Sequence, residues 1–351
     1  MINSLGIGGA ERVLVDDINE CVRRGTVEVR LLTLRPESEK SFSGQLSLQR
    51  NYWKVVQLKK LFAIWGVIQI LLYIYREKPD LIVSHLWYAN TVAKICKLFG
   101  ACRTVLTFEQ NVYDTIKSKK SFLLDRVLQR FCTKIIAVSS TVRDSLIAHG
   151  IDQQHIQVIY NSVDVETFSK PHHLIEPLPH PKGTFTFLYI GRLIPQKNVE
   201  HLLRAFVEVE GAVLYIVGTG YLQEKLEALV AQLGIAHRVY FLGVRSDIPA
   251  LMQACDCFVF PSLYEGFSLV LLEAMASQMP IIISDFAAGR EVIVDNGNGI
   301  IAGPTATAFA DACRCVMQDE SLRHQIAKEA RKTAQTFSIS RHVDEILAFI
   351  K

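Results

Sequence analysis

Residues 261–284 read PSLYEGFSLVLLEAMASQMPIIIS. An apolar run from Cys257 to Phe260 enters this stretch, and a second, Ile281 to Ser284, leaves it. The spacing from Leu269 onward is helical, so the segment predicts strand, turn, helix, strand, the repeating unit of a parallel α/β sheet. Glu265 stands in the turn, just before Gly266, Phe267 and Ser268, and Glu273 lies inside the helix. Taken as one helix, the two acids are about 80° apart and share a face. The turn is expected at the carboxyl end of a strand, where open α/β sheets bind ligands. Backbone amides of Phe267, Ser268, Leu269 and Val270 are the expected free donors of the helix mouth, suited to an anion or to sugar hydroxyls. Two carboxylates beside such donors indicate a polar, phosphorylated ligand. Alone, they also fit the acid and nucleophile of a hydrolase.

The same rhythm extends in both directions. Strands are expected at Phe185–Ile190, Val213–Val217 and Val239–Leu242, with helices from Asn198, Tyr221 and Ile248. In the amino half the expected strands are Val29–Thr33, Leu81–Ser84, Thr104–Phe108, Lys134–Val138 and Ile156–Ile159, alternating with helices. The fold class is therefore α/β, with two doubly wound, Rossmann-like parallel-sheet domains and a ligand cleft between them. The amino-terminal domain is expected over 1–165 and a Pro- and His-rich linker over 166–183. The carboxyl-terminal domain follows over 184–335, and a last helix over 336–351 could pack on either domain. Only Met1–Leu5 precedes the first Gly-rich turn. Either the first strand is unusually short, or residues upstream of Met1 are missing from the sequence.

Composition narrows the class further. The 351 residues are half hydrophobic and 21% charged, which is a globular balance. The net charge of +3 is unevenly spread: residues 1–165 hold 22 Lys and Arg against 15 acids, leaving 16 against 20 for the remainder. A basic amino half suits an anionic partner such as a membrane surface or phosphorylated acceptor. The eight cysteines lack zinc-type spacing and read as buried, reduced thiols. No secretory signal and no apolar run of about 20 residues is present. The nearest candidate, Leu61–Tyr75, follows Lys54, Lys59 and Lys60. It reads either as a surface-bound amphipathic helix or as a buried one.

Two glycine-rich loops carry further chemistry. Gly6-Ile7-Gly8-Gly9-Ala10-Glu11 is a weak dinucleotide fingerprint, because Glu11 occupies the third glycine position and no ribose acid follows. Gly8 and Gly9 would still let backbone approach a phosphate. After the Phe185–Ile190 strand, Arg192 and Lys197 lie five residues apart around a glycine and a proline, a plausible diphosphate clamp. Gly218-Thr219-Gly220 ends the next strand.

Together these stretches resemble retaining glycosyltransferase family 4. The resemblance rests on G-G-A-E-R from Gly8, G-R-L-x-x-x-K-N from Gly191 and P-S-x-x-E-G-F-x-x-x-x-x-E-A-M-A from Pro261. Asn161-Ser162-Val163-Asp164 and Ala137-Val138-Ser139-Ser140 are also family-like, and the likeness runs from Asn3 to about Phe349. It implies the GT-B fold and transfer of a sugar from a nucleotide diphosphate sugar to a hydroxyl. UDP-sugars are the expected donors, and glycans or lipid-diphosphate-linked sugars of bacterial surface polysaccharides the expected acceptors. Neither metal nor other cofactor nor nucleic acid is implied. The implied setting is cytoplasmic, with peripheral contact at an anionic membrane.

Residue by residue, the resemblance assigns Arg192 and Lys197 to the diphosphate, Glu265 to the donor sugar and Glu273 to the ribose hydroxyls. Gly266, Phe267, Ser268 and Leu269 would line the sugar and phosphate, with Gly8, Gly9, Asn161 and Gly218 also on the donor. His85, Glu109, Gln110 and Asn111 are candidates for acceptor or cleft contacts. Many relatives have Glu-His-Asn where this chain has Glu109-Gln110-Asn111. Gln110 can hydrogen-bond a sugar but cannot move a proton. In this family the departing phosphate oxygen is thought to accept the acceptor's proton, so no protein base is required. A GT-B sugar-nucleotide epimerase, a non-catalytic sugar-nucleotide module and a nucleotide-dependent oxidoreductase are the alternatives. Of these, the oxidoreductase leaves Glu265 and Glu273 unexplained.

Overall fold

The computed structural model describes residues 1–37, 41–58, 64–112, 119–179 and 183–350. The chain forms two units, Met1–Ser162 with Ile339–Lys351, and Val163–Ser338. Unit 1 runs α1 (Gly9–Arg24), β1 (Leu31–Thr33), β2 (Trp53–Val55), α2 (Ile64–Glu77), β3 (Leu81–His85), α3 (Trp87–Leu98), β4 (Thr104–Glu109), α4 (Lys119–Leu128), β5 (Lys134–Ala137), α5 (Ser140–Ala148) and β6 (Ile156–Val158). Unit 2 begins with α6 (Val165–Ser169), β7 (Phe185–Ile190), α7 (Val199–Phe206), β8 (Ala212–Val217), α8 (Gln223–Gln232), β9 (Val239–Gly243) and α9 (Ile248–Ala254). It continues with β10 (Cys257–Phe260), α10 (Leu269–Ala276), β11 (Ile281–Ser284), α11 (Ala287–Arg290), β12 (Ile300–Ala302), α12 (Ala306–Gln318) and α13 (Glu320–Gln335). Helix α14 (Ile339–Ile350) returns to unit 1 and packs on α1.

Unit 2 is a six-stranded parallel sheet of order β9-β8-β7-β10-β11-β12. Every residue of β8 and β10 is buried, as expected when helices cover both faces of a parallel sheet. The direction of strand addition reverses between β7 and β10, which is the topological switch point of a doubly wound sheet. Unit 1 follows the same plan. Its β3-β4-β5-β6 and β1-β2 groups flank the amino-terminal residues. The Ile2 amide donates to Leu32 at 3.1 Å on one side, and the His85 amide donates to the Met1 carbonyl at 3.0 Å on the other. Met1 and Ile2 thus stand where the central strand belongs, but only as an isolated bridge to Thr33.

Several elements were not legible in the sequence. β2 and β12 are three residues long. Helices α12 and α13 bury alanines and a cysteine more than large apolar groups, so few large apolar residues mark them in the sequence. Their N-caps were readable: Thr305 accepts from the Ala308 amide and Asp319 from the Leu322 amide. The Pro- and His-rich stretch, apart from 180–182, which lie outside the described residues, is sewn to unit 2. Gln253 bonds Lys170 and His172, and the Ile175 amide donates to Asp247 at 2.8 Å. All eight cysteines are free, but Cys315 is exposed and Cys21 half-buried, which corrects the reading of a uniformly buried set. Burial pushes the thiols of Cys96, Cys255 and Cys313 up to about 12. Of the Leu61–Tyr75 segment, residues 61–63 and the lysines at 59 and 60 lie outside the described residues. Among the described residues no helix is long and apolar enough to cross a membrane.

Candidate functional site

Unit 2 gathers its candidate residues on the two loops that flank the switch point. The loop after β7 is held by backbone: Gly191 donates to Val217 at 2.9 Å, and Leu193 to Thr219 at 3.0 Å. Two glycines make this approach possible. Gly218 has φ +124°, and a Cβ there would fall 2.1 Å from the Gly191 carbonyl oxygen. At Gly220 a Cβ would fall 2.2 Å from the Leu193 oxygen. Gly218 therefore has a packing duty whatever ligand it meets. Beneath the loop, the fully buried Tyr189 donates its hydroxyl to the Arg192 carbonyl at 3.1 Å. Burial, reinforced by the charge of Glu265, raises its phenol pKa.

The next turn meets the loop after β10. Lys197 Nζ lies 2.7 Å from Glu265 Oε1, with the two side chains 12% and 10% exposed. Gln196 Nε2 donates to the other carboxylate oxygen at 3.3 Å and to the Tyr264 carbonyl at 2.9 Å. The Leu263 amide closes the junction by donating to the Gln196 carbonyl at 2.9 Å. Lys197 also stands 4.9 Å from the Phe260 ring centroid. Asn198, at φ 50°, turns the chain from this junction into α7. Of the two cations expected as a clamp, Lys197 is thus bound to Glu265, while Arg192 is exposed. Gln196 was not anticipated, and its place among the x positions of G-R-L-x-x-x-K-N gave no signal.

Helix α10 begins at Leu269, with Ser268 as an extended N-cap that makes no side-chain cap bond. The first intrahelical bond runs from the Leu272 amide to the Ser268 carbonyl at 3.4 Å. The first-turn amides are therefore those of Ser268 to Leu271. Two expectations need correction. The Phe267 amide precedes the helix mouth, and the Phe267 ring is buried 5.7 Å from Phe337. Glu265 lies in the turn, so a rotation of 80° about one helix axis does not relate it to Glu273. Gly266 is buried, and Glu273 is half-buried as the single charged residue of an otherwise apolar helix.

In unit 1 the candidates sit on loops leaving the amino-terminal segment, β3 and β4. Gly8 is the N-cap of α1, and Gly9 is that helix's exposed first residue. A Cβ on Gly8 would fall 2.4 Å from Oε2 of Glu11. His85 is buried and stacked on Phe108 at 4.2 Å and 14°, and its Nδ1 has no hydrogen-bond partner. Burial holds its pKa well below the usual histidine range. Glu109 is buried and accepts from Asn90 Nδ2 at 3.2 Å, while Asn111 is exposed. The amide nitrogen of Gln110 and Oδ1 of Asn161 are buried without partners.

Two buried clusters in unit 1 had no sequence signal. Lys94 Nζ lies 2.6 Å from Asp125 and 2.8 Å from Gln129. His342, on α14, faces Asp17 at 3.4 Å and the Tyr160 carbonyl at 2.7 Å.

A model of Glycosyltransferase Family 4 matches residues 7–167, and one of Glycosyl transferases group 1 matches residues 173–333. The chain belongs to glycosyltransferase family 4. It is a glycosyltransferase by that membership, with homologues that build bacterial lipopolysaccharides and other glycans. Among its relatives is the Escherichia coli UDP-Gal:alpha-D-GlcNAc-diphosphoundecaprenol alpha-1,3-galactosyltransferase, 27% identical over 86% of this chain and 81% of that protein. Another is a Campylobacter jejuni N-acetylgalactosamine-N,N'-diacetylbacillosaminyl-diphospho-undecaprenol 4-alpha-N-acetylgalactosaminyltransferase. It is 24% identical over 99% of this chain and 98% of the other. The crystal structure of Anabaena Alr3699/HepE in complex with UDP-glucose has a TM-score of 0.82 at 22% identity, covering 99% of both chains. The fold of this family 4 member is GT-B.

Proposed function

We propose that this chain moves a hexosyl or N-acetylhexosaminyl group from a UDP-sugar to a hydroxyl of a glycan or lipid-diphosphate-linked acceptor, retaining the donor's anomeric configuration. The observation that carries this reading is the Lys197–Glu265 pair at the switch point, beside exposed Arg192 and the mouth of α10. A glycosyl transition state puts positive charge on the sugar and growing negative charge on the leaving phosphate. Arg192, Lys197 and the first-turn amides are the groups that stabilise that phosphate selectively. Glu265 turns from Lys197 to the sugar hydroxyls, and Glu273 takes the ribose hydroxyls. The bond from C1 of the sugar to the phosphate oxygen breaks as the acceptor oxygen bonds to C1. The acceptor's proton passes to the departing phosphate oxygen, so Gln110 need not act as a base.

The E. coli and Campylobacter relatives carry undecaprenol-diphosphate acceptors in their names, which supports a lipid-linked acceptor here. Such an acceptor is held by a membrane. Peripheral contact of the basic amino half with an anionic, cytoplasm-facing surface belongs to the same proposal. A thermal-shift panel of nucleotide sugars tests the donor, with stabilisation by a UDP-sugar expected above that by GDP-mannose. NMR of the product tests the stereochemistry. An inverted anomeric centre, or turnover of donor to an epimer without acceptor, would overturn the reading.

A further inference from the structure

Tyr189 carries a hydroxyl that the core around it does not require. Alternate residues of a strand share a side, so β7 turns Phe185, Phe187 and Tyr189 to one face of the sheet. Phe187 and Tyr189 are fully buried in the core of unit 2, and the Phe185 and Phe187 rings meet at 5.1 Å. A plain ring serves at 187. A hydroxyl at 189 gives up its water on folding and is tolerated there only with a hydrogen-bond partner.

That partner is the backbone of the cation loop. The Tyr189 hydroxyl donates to the Arg192 carbonyl at 3.1 Å, and the Ile194 amide donates to the same oxygen at 3.1 Å. Two donors thus fix the peptide that follows Arg192. On either side of it the chain is laddered to the loop after β8, through the Gly191 and Leu193 amides and through the Leu222 amide, which donates to the Leu193 carbonyl at 3.2 Å. Gly191 makes room for the reach of the tyrosine. A Cβ there would fall 2.6 Å from the hydroxyl oxygen and 3.0 Å from the ring carbon that bears it. Gly191 is not among the glycines of positive φ, so it supplies space and not backbone freedom. Burial, then the charge of Glu265, raise the phenol pKa, and the hydroxyl stays a donor at neutral pH. The backbone being held, the exposed Arg192 side chain is the part of this turn left to meet a ligand.

We propose that Tyr189 is a positioning residue for sugar transfer, its hydroxyl holding the Arg192 peptide so that the guanidinium is aimed at the leaving diphosphate before the donor arrives. Fixing the peptide in advance removes a reorganisation that would otherwise accompany the transition state. The inference rests on the reading of Arg192 as a group that stabilises the leaving phosphate.

The test compares the full chain with Tyr189→Phe, Arg192→Ala and the double variant, following UDP release from UDP-galactose and UDP-N-acetylgalactosamine. Tyr189→Phe leaves the Ile194 amide on the Arg192 carbonyl, so Tm should stay within about 4 °C of the parent. Its kcat should fall about tenfold while the donor KM changes by less than about twofold, because lost alignment acts on the developing charge more than on binding. In the Arg192→Ala background the same substitution should change kcat by less than about twofold, since Tyr189 acts through Arg192. A purely structural role would lower activity equally in both backgrounds. Amide hydrogen exchange reads the tie without donor or turnover, and residues 190–197 should exchange at least about threefold faster in Tyr189→Phe. A kcat for Tyr189→Phe within about threefold of the parent, an equal loss in both backgrounds, or unchanged exchange over 190–197 overturns the proposal. A parent that releases UDP from neither sugar counts against the sugar-transfer reading, and the exchange result still decides whether Tyr189 holds the turn.

Discussion

Lys197 and Glu265, sixty-eight positions apart, share an ion pair of 2.7 Å, and Gln196 holds the second oxygen of the same carboxylate. The pair joins the two loops of the switch point and keeps a cation and an anion in place at the carboxyl edge of the sheet. Donor binding on the proposed scheme exchanges this contact for two others, lysine to phosphate and glutamate to sugar.

Removing either partner leaves the other charge largely buried. Lys197→Ala and Glu265→Ala should each destabilise the fold, and the double variant should cost less than their sum by about 1–3 kcal/mol. Denaturant unfolding of the three variants checks the cycle. On activity, Lys197→Ala and Arg192→Ala should each cost roughly 2–4 kcal/mol of transition-state stabilisation. Turnover within threefold of the parent for both would remove the clamp assignment.

On the proposed scheme Gln196, whose amide donates to Glu265 at 3.3 Å, orients that carboxylate. Gln196→Ala should lower kcat/KM by roughly 1.5 kcal/mol, about tenfold, the lower end for a hydrogen bond to a charged group. A steady-state comparison of donors should place the loss on sugar-bearing nucleotides and spare UDP binding. An equal loss of affinity for UDP alone would show that Gln196 serves the loop and not the sugar-facing carboxylate.

Asp247 ties the Pro- and His-rich stretch down, accepting from the Ile175 amide and from Arg245 at 2.8 and 2.6 Å. The Arg245 hydrogen bonds hold its carboxyl at about 2, although burial opposes them. Its stabilising contribution is complete above the ordinary aspartate value and is lost as pH falls toward 2. Asp247→Asn should cost about 2 kcal/mol near neutral pH and expose residues 170–179 to protease. Limited proteolysis that cuts parent and variant at the same rate would contradict this.

His342 gives the carboxyl-terminal helix a pH dependence. Burial alone would lower its pKa, but the nearby charge of Asp17 and the hydrogen bond to the Tyr160 carbonyl raise it above the usual value. The protonated form is favoured in the folded chain, so its contribution is full below about pH 6.5 and fades as pH rises through the raised value. Tm should fall more steeply between pH 6 and 9 in the parent than in His342→Gln, as read by calorimetry.

Gly218→Ala should be severe, because φ +124° and a carbonyl 2.1 Å from the new Cβ both oppose it. A loss of about 3 kcal/mol or more is expected. Gly9→Ala, on an exposed first turn, is the control and should leave stability nearly unchanged.

Much of the architecture follows from local pattern. The strands Phe185–Ile190, Cys257–Phe260 and Ile281–Ser284 were legible to the residue, because continuous apolar runs between turn signals belong to strands buried on both faces. Short or alanine-faced elements were not, since three residues carry too little pattern and small buried side chains carry little apolar signal. The motif from Pro261 to Ala276 and the cation loop from Gly191 to Asn198 were sufficient in sequence to name the family and the reaction class. What only the tertiary structure decided was which of those charges face one another. The spacing of Arg192 and Lys197 suggested that both cations form one diphosphate clamp, yet β7 and β10 are neighbours in the sheet, so their loops bring Lys197 onto Glu265 and leave Arg192 exposed. Pairing between distant loops depends on strand order, and strand order is set by long-range packing that no local window of sequence contains.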